Sequence, residues 1–120
     1  MEARILLVDD DRLLREVIGD FLVHNGFKVD MAEDANQALE KFKPGSYDLA
    51  LIDLVMPGMN GLELMNRLMA MDAKIFCLIM TGYPTIETAF KSMVEGATDY
   101  IIKPFQLSEL LTAIKENLNS

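Results

Sequence analysis

Residues 5–11 read ILLVDDD, so four consecutive apolar residues end abruptly in three aspartates. Four further apolar stretches occur along the chain, at 27–31, 47–52, 75–80 and 100–102. A continuous apolar run is typical of a strand covered on both faces, whereas the alternating stretch 27–31 is typical of a more exposed strand. We therefore expect five short strands, with the second at an edge of the sheet.

Between these stretches the apolar residues recur at helical spacing, which predicts five helices. Their apolar stripes are Leu14, Val17, Ile18, Phe21 and Leu22; Ala35, Ala38, Leu39 and Phe42; several Leu and Met of 61–71; Ile86, Ala89, Phe90, Met93 and Val94; and Leu107, Leu110, Leu111, Ile114 and Leu118. Strands that alternate with helices favour an α/β fold with a parallel sheet covered by helices on both faces. The expected architecture is a flavodoxin-like, doubly wound, five-stranded sheet of order 2-1-3-4-5.

Composition narrows the class of protein. The 120 residues suit one domain, 1–120, and a net charge of −8 argues against direct nucleic-acid binding, which needs a basic face. The longest apolar run has six residues, too short for a membrane span. One cysteine permits no internal disulfide. We expect a cytoplasmic protein without a membrane partner.

Polar side chains follow four of the predicted strands. Asp9 and Asp10 follow the first, Asp53 the third, Thr81 the fourth and Lys103 the fifth. In open parallel sheets, ligands bind beyond the carboxyl ends of the strands. The sequence therefore predicts one functional site at this edge of the sheet.

The aspartates suggest a metal. Carboxylates crowded together repel one another, and a bound cation removes the repulsion. Mg²⁺ prefers oxygen ligands and keeps several waters. We expect Asp10 and Asp53 to bind it directly, Asp9 directly or through water, and the backbone carbonyl of Val55 to be a further ligand.

The remaining groups suit a phosphoryl group. Lys103 is expected to pair with Asp53 or to hold a phosphoryl oxygen, and the Thr81 hydroxyl is expected to donate to another. An aspartate in such a site can act as a nucleophile toward phosphorus. Asp53, at the predicted centre of the sheet, is the best candidate.

Four stretches together resemble the receiver domain of bacterial two-component response regulators: 7–11 (LVDDD), 53–61 (DLVMPGMNG), 80–82 (MTG) and 103–105 (KPF). The resemblance implies a switch that uses Mg²⁺, is phosphorylated on Asp53 by a histidine kinase or a histidine phosphotransfer protein, and is not a turnover enzyme. It implies Asp9 and Asp10 as the acidic pair, Thr81 as the switch hydroxyl and Lys103 as the phosphate-binding lysine.

The resemblance also implies that Tyr100 is the aromatic switch residue and that the Lys103–Pro104 peptide bond is cis. The output surface is expected at the fourth helix, fifth strand and fifth helix, with Phe90, Met93 and Phe105 as candidate contacts. It would control a downstream effector or an attached output domain, and a phosphorylation-dependent homodimer is left open. The stretch 83–105 further resembles regulators that drive sigma-54 transcription.

Other functions stay open at this point. A haloacid-dehalogenase-like phosphatase would have a second Asp two residues after the nucleophile, where this chain has Val55. A flavodoxin-like electron carrier would need a Ser/Thr/Gly-rich phosphate loop in place of the three aspartates. A receiver that is never phosphorylated is disfavoured because the acidic residues, Thr81 and Lys103 are all present. A stand-alone protein and a fragment of a longer regulator remain equally open.

Overall fold

The computed structural model describes residues 2–82 and 85–119, without the side chain of Ile86. The strands are β1 (Arg4–Val8), β2 (Lys28–Ala32), β3 (Leu49–Asp53), β4 (Phe76–Thr81) and β5 (Asp99–Ile102). The helices are α1 (Arg12–His24), α2 (Ala35–Lys41), α3 (Gly61–Met71), α4 (Ile86–Val94) and α5 (Leu107–Leu118). Strands and helices alternate throughout, as the sequence predicts.

The five strands form one parallel sheet of order β2-β1-β3-β4-β5. The predicted fold class and strand order are therefore confirmed. β3 lies at the centre and is buried at every position, whereas β2 lies at an edge and is mostly exposed or half-buried. The apolar run of the central strand and the alternation of the edge strand follow from these positions.

Each face of the sheet has its own apolar core. Alternate residues of β1 enter opposite cores: Leu6 and Val8 pack with α2 and α3, and Ile5 and Leu7 pack with α1 and α5. Because successive side chains of a strand point to opposite faces, a continuous apolar run serves both cores. Cys77 is fully buried and fills the first of these cores. Within the described residues, no helix has the length and apolar composition needed to cross a membrane.

Polar side chains fix where most of the helices begin. In α1 to α4 the side chain of the N-cap residue accepts a hydrogen bond from a backbone N–H in the first turn, which satisfies a group that has no partner within the helix. The four accepting side chains are those of Asp11, Asp34, Asn60 and Thr85, and the donors are the backbone N–H groups of Leu14, Gln37, Glu63 and Thr88, in the same order. Because these four helices start beyond the carboxyl ends of the strands, the caps also order the loops around that edge.

Two of the predicted apolar stripes are buried only in part. In α1, Ile18 and Leu22 are buried but Val17 is 44% exposed, because a helix on a sheet buries a narrower strip than the whole apolar face. In α4, Phe90 and Val94 are exposed while Ser92 is fully buried. Helical periodicity identifies an apolar face but not whether that face meets the core or the solvent.

The start of α3 lies unusually close to β3. A Cβ atom on Gly61 would lie 2.9 Å from the Cα of Leu54 and closer still to the carbonyl oxygen of Asp53. The backbone N–H of Gly61 also donates to the Leu54 carbonyl at 2.9 Å. A residue without a side chain is therefore required for the chain to pass directly behind Asp53.

We predict that Gly61→Ala lowers the free energy of unfolding by about 1–3 kcal/mol, because the methyl group forces the backbone of α3 away from β3. Helix propensity alone would give the opposite sign, since alanine favours helices. Urea denaturation followed by circular dichroism measures the effect. Gly82→Ala is the control, because its Cβ would meet nothing closer than 4.0 Å. Equal stability of the two variants would contradict the prediction.

Candidate functional site

Three carboxylates meet at the carboxyl edge of the sheet. Asp9, Asp10 and Asp53 each present an oxygen, and these oxygens lie within 4.8 Å of one another. Asp9 and Asp10 directly follow β1, and Asp53 is the last residue of the neighbouring strand β3. The predicted convergence is a consequence of parallel strands ending at one edge.

Asp9 is fully buried, and hydrogen bonds hold both of its carboxylate oxygens. The backbone N–H of Asp11 donates to Oδ1 at 2.9 Å, and the Nζ of Lys103 donates to Oδ2 at 2.8 Å. The backbone N–H of Asp9 donates to the Ala32 carbonyl at 3.2 Å. Asp9 is thus fixed in place, and its charge is compensated.

Asp53 is 6% exposed and less tightly bound than Asp9. Its Oδ1 lies 3.4 Å from the backbone N of Val55 and 3.5 Å from the Nζ of Lys103. Burial raises the pKa of Asp53 to about 6; the Lys103 charge opposes this shift, and the charges of Asp9 and Asp10 add to it. At neutral pH the carboxylate is ionised but poorly solvated.

Lys103 is the cation shared by the two buried carboxylates. Its side chain is 19% exposed, and its backbone N–H donates to the Thr81 carbonyl at 2.7 Å. That bond ties the residue after β5 to the end of β4. The Lys103–Pro104 peptide bond is cis, as the resemblance implies. Lys103 pairs with Asp9 more closely than with Asp53, the partner that the sequence suggested.

A cleft of about 340 Å³ opens at these residues. Its lining consists of Asp9, Asp10, Asp11, Asp53, Val55, Gly82 and Lys103. Clustered carboxylate oxygens with one exposed member, Asp10, are the donor set that a hard cation such as Mg²⁺ takes. The residues present therefore fit Mg²⁺. Val55 lies at the cleft, while the role of its carbonyl as a ligand stays a prediction.

The two predicted switch residues lie farther from the cleft. Thr81 is fully buried at the end of β4 and is not part of the lining described above. Tyr100 in β5 is half-buried, and its hydroxyl lies 3.0 Å from the Oγ1 of Thr88 in α4. Thr88 was not singled out from the sequence, because a threonine in a helix carries no motif of its own.

The three candidate output residues are separated by the sheet. Phe90 and Met93 lie on the outer side of α4, 70% and 50% exposed. Phe105 is half-buried and packs against the core beneath α1 and α5, on the opposite face from the core that Tyr100 contacts. Only Phe90 and Met93 thus lie together on the exposed face of one helix.

Arg15 is a further residue that the sequence analysis did not single out. Its Nη1 donates to the backbone carbonyl of Asp9 at 2.7 Å, directly beside the acidic cluster. The only sequence signal is its position, one helical turn after the three aspartates. An arginine in a helix is too common for this position to identify it alone.

Comparison with known proteins places this geometry in a family. Residues 5–115 match the family model described as the response regulator receiver domain. The chain is 38% identical over 120 residues to the chemotaxis protein CheY of Bacillus subtilis (strain 168), covering 99% of this chain and 100% of that protein.

Other relatives are longer than this chain. It is 35% identical over 115 residues to response regulator MprA of Mycolicibacterium vanbaalenii and 35% identical over 114 residues to response regulator protein FleR of Pseudomonas aeruginosa. These matches cover 96% and 95% of this chain, but only 50% of MprA and 24% of FleR.

Solved structures share the fold closely. A CheY-like receiver domain protein from Methanospirillum hungatei JF-1 matches with a TM-score of 0.94 and 34% identity, covering 99% of this chain and 95% of that one. The non-phosphorylated HemR receiver domain from Leptospira biflexa matches with a TM-score of 0.94 and 28% identity, covering 99% and 96%.

The raised pKa of Asp53 predicts how stability depends on pH. The unfolded chain loses this proton near 3.8 and the folded protein near 6, so raising the pH between these values favours unfolding. We predict that Asp53→Asn stabilises the metal-free protein by about 1–3 kcal/mol above pH ~6, and by progressively less as the pH falls toward 4.

Thermal unfolding at several pH values measures this difference. Asp20→Asn is the matched control, because Asp20 is an exposed aspartate of α1 and its removal should change stability little at any pH. A difference between wild type and Asp53→Asn that is absent, or that does not vary with pH, would contradict a raised pKa.

Proposed function

Because the chain belongs to the response regulator receiver domain family of two-component signalling, we propose that it is a switch that accepts a phosphoryl group on Asp53. The observation that carries this proposal is the placement of Asp53 in the cleft, beside Lys103 and two other aspartates. The donor is a phosphohistidine of a histidine kinase or a histidine phosphotransfer protein. We propose that residues 1–120 form one receiver domain.

The reaction is a direct transfer between two proteins. A carboxylate oxygen of Asp53 forms a bond to phosphorus while the bond from phosphorus to the imidazole nitrogen of the donor breaks. The imidazole nitrogen keeps the electron pair and takes a proton from solvent. With a pKa of about 6, Asp53 is ionised at neutral pH and needs no base to remove a proton.

Charge neutralisation is the main requirement of this transfer. The Nζ of Lys103 lies 3.5 Å from Asp53 and is placed to hold a phosphoryl oxygen. In doing so it would give up part of its ion pair with the Asp53 carboxylate. Asp9, Asp10, Asp53 and the Val55 carbonyl are the residues that would hold Mg²⁺. The ion, when bound, supplies positive charge against the phosphoryl oxygens.

The chain's own chemistry ends with its phosphorylation and dephosphorylation. We propose that it does not turn over outside substrates, in contrast to a phosphatase with an aspartyl-phosphate intermediate. Val55 supports this, because it occupies the position two residues after the nucleophile and is half-exposed at the cleft. A valine there offers no acid or base to a leaving group.

The signal is proposed to pass from Asp53 to α4. Phosphorylation adds about −1.5 to −2 charge, and the Thr81 hydroxyl moves toward the new oxygens. Tyr100 and Thr81 lie on the same face of the sheet, two residues apart in the register of β4 and β5. A shift of Thr81 changes the space available to the Tyr100 ring, and Tyr100 in turn contacts Thr88 of α4.

The exposed face of α4 is the proposed output surface. Phe90 and Met93 are large apolar side chains in contact with solvent, a feature typical of an interaction site. The occupant is a downstream effector, an attached output domain or, after phosphorylation, a second copy of the chain. Phe105 remains a candidate for the α5 side of this surface. The resemblance of the stretch 83–105 to sigma-54 regulators stays a prediction, and Tyr83 and Pro84 of that stretch lie outside the described residues.

The main proposal predicts phosphorylation at a single residue. Incubation with acetyl phosphate and Mg²⁺ should add one phosphoryl group to the wild type and none to Asp53→Asn, as measured by intact mass. Asp11→Asn is the matched control, because Asp11 caps α1 through a bond that asparagine also makes, and it should still be phosphorylated. An equal mass gain in wild type and Asp53→Asn would place the acceptor elsewhere.

The proposed route to α4 makes a separate prediction. Tyr100→Phe removes the hydrogen bond to Thr88, so backbone amides of α4 should exchange about fivefold faster, corresponding to about 1 kcal/mol. Hydrogen exchange measured by mass spectrometry tests this, and phosphorylation of the wild type should change exchange over the same helix.

Tyr47→Phe is the matched control for this experiment. It also removes a tyrosine hydrogen bond, to Asp30 at 2.6 Å, but at the β2 edge of the sheet. Its effect should stay near β2. If the amides of α4 exchange hydrogen at the same rate in Tyr100→Phe as in the wild type, the bond of Tyr100 to Thr88 does not stabilise that helix.

A further inference from the structure

The Asp10 carboxylate differs from its two neighbours in how it is held. Asp9 and Asp53 both accept hydrogen bonds and both contact Lys103. Asp10 is exposed, and its carboxylate has no hydrogen bond or ion pair within residues 2–82 and 85–119. Its direction toward the cleft therefore depends on the backbone that carries it.

That backbone is fixed at both sides of Asp10. The Nη1 of Arg15 donates to the Asp9 carbonyl at 2.7 Å, and the backbone N–H of Arg15 donates to the Asp11 carbonyl at 2.9 Å. The Asp9 carbonyl belongs to the peptide group that joins Asp9 to Asp10. Because this group is planar, holding its oxygen fixes the rotation that aims the Asp10 side chain.

We infer that Arg15 is a positioning residue that holds the Asp9–Asp10 peptide and thereby aims the Asp10 carboxylate at the divalent cation. The inference rests on the proposed function, in which Asp10 is a direct ligand. The bond is short and involves a charged donor, which makes it stronger than a bond between neutral groups. Partners that orient a metal ligand in this way affect affinity without touching the metal.

Replacing Arg15 would change Mg²⁺ affinity in opposite directions through the loss of its charge and through the loss of its hydrogen bond to the Asp9 carbonyl. A guanidinium beside three carboxylates repels an incoming cation, so removing only its charge strengthens Mg²⁺ binding. Removing an anchor of the Asp10 backbone weakens binding. The direction of the change therefore distinguishes positioning from electrostatics.

The test is titration of the metal-free protein with MgCl₂ by isothermal calorimetry, at fixed ionic strength and a pH of about 7.5, where Asp53 is ionised. Arg15→Met keeps the apolar part of the side chain and should weaken Mg²⁺ binding about tenfold. Arg15→Lys keeps a donor and should recover part of the affinity. Arg15→Gln replaces the Met variant if that variant does not unfold cooperatively.

Arg12→Met is the matched control. Arg12 is an exposed arginine in the same turn of α1, and among the residues that the structure describes its side chain pairs only with Glu16. Its loss therefore changes the net charge equally without touching the acidic loop. Its Mg²⁺ affinity should equal or slightly exceed that of the wild type. At saturating Mg²⁺, Arg15→Met should be phosphorylated at a rate within about twofold of wild type, since its defect is in affinity.

A second measurement needs no metal. In the metal-free protein, the amide NMR signals of Asp10 and Asp11 should shift in Arg15→Met and not in Arg12→Met. Unchanged or tighter Mg²⁺ binding by Arg15→Met, or equal weakening in Arg12→Met, overturns the inference. If the wild type itself takes up no Mg²⁺, the proposed function fails, whereas equal binding by wild type and Arg15→Met overturns only the role of Arg15.

Discussion

The ion pairs of Lys103 are the constraint on which the site depends. Two buried carboxylates, Asp9 and Asp53, lie close enough to repel each other, and one ammonium group contacts both. Leaving either carboxylate buried without this partner would cost several kcal/mol. Compensation is incomplete, since the pKa of Asp53 still rises to about 6. Lys103 therefore keeps the two carboxylates together, and the site still attracts a further cation.

The apolar sheet holds these charged groups in position. β3 is buried at all positions up to Asp53, and the next backbone N–H, of Leu54, donates to the Met80 carbonyl of β4 at 2.8 Å. Asp53, the proposed nucleophile, thus lies at a strand end bonded to its neighbour, with Gly61 packed directly behind it. Rigid strands hold the charges close together, and helix caps and loops supply the hydrogen bonds that this arrangement requires.

The sequence predicted those features that follow from periodicity and from strand ends. Asp9, Asp53 and Lys103 could be brought together because parallel strands end at one edge, whatever their separation along the chain. Periodicity alone could not predict that Phe90 faces the solvent, because an apolar stripe does not say what covers it; that expectation came only from the family resemblance. Arg15 and Thr88 were missed for another reason: the contact of Arg15 with the Asp9 carbonyl and that of Thr88 with the Tyr100 hydroxyl leave no pattern of residue types.

The inverted burial of α4 explains why this helix is suited to transmit a signal. Its inner side is polar: the fully buried Ser92 bonds the Thr88 carbonyl of the same helix, and Glu95 at its end has a buried carboxylate oxygen with no hydrogen-bond partner among the described residues. Among the described side chains of α4, those of 87–94, Ser92 alone is buried, and in the proposed route a small change at Tyr100 shifts this helix. Phe90, Met93 and Val94 already face the solvent, so a shift of the helix would alter the proposed output surface without first exposing a core.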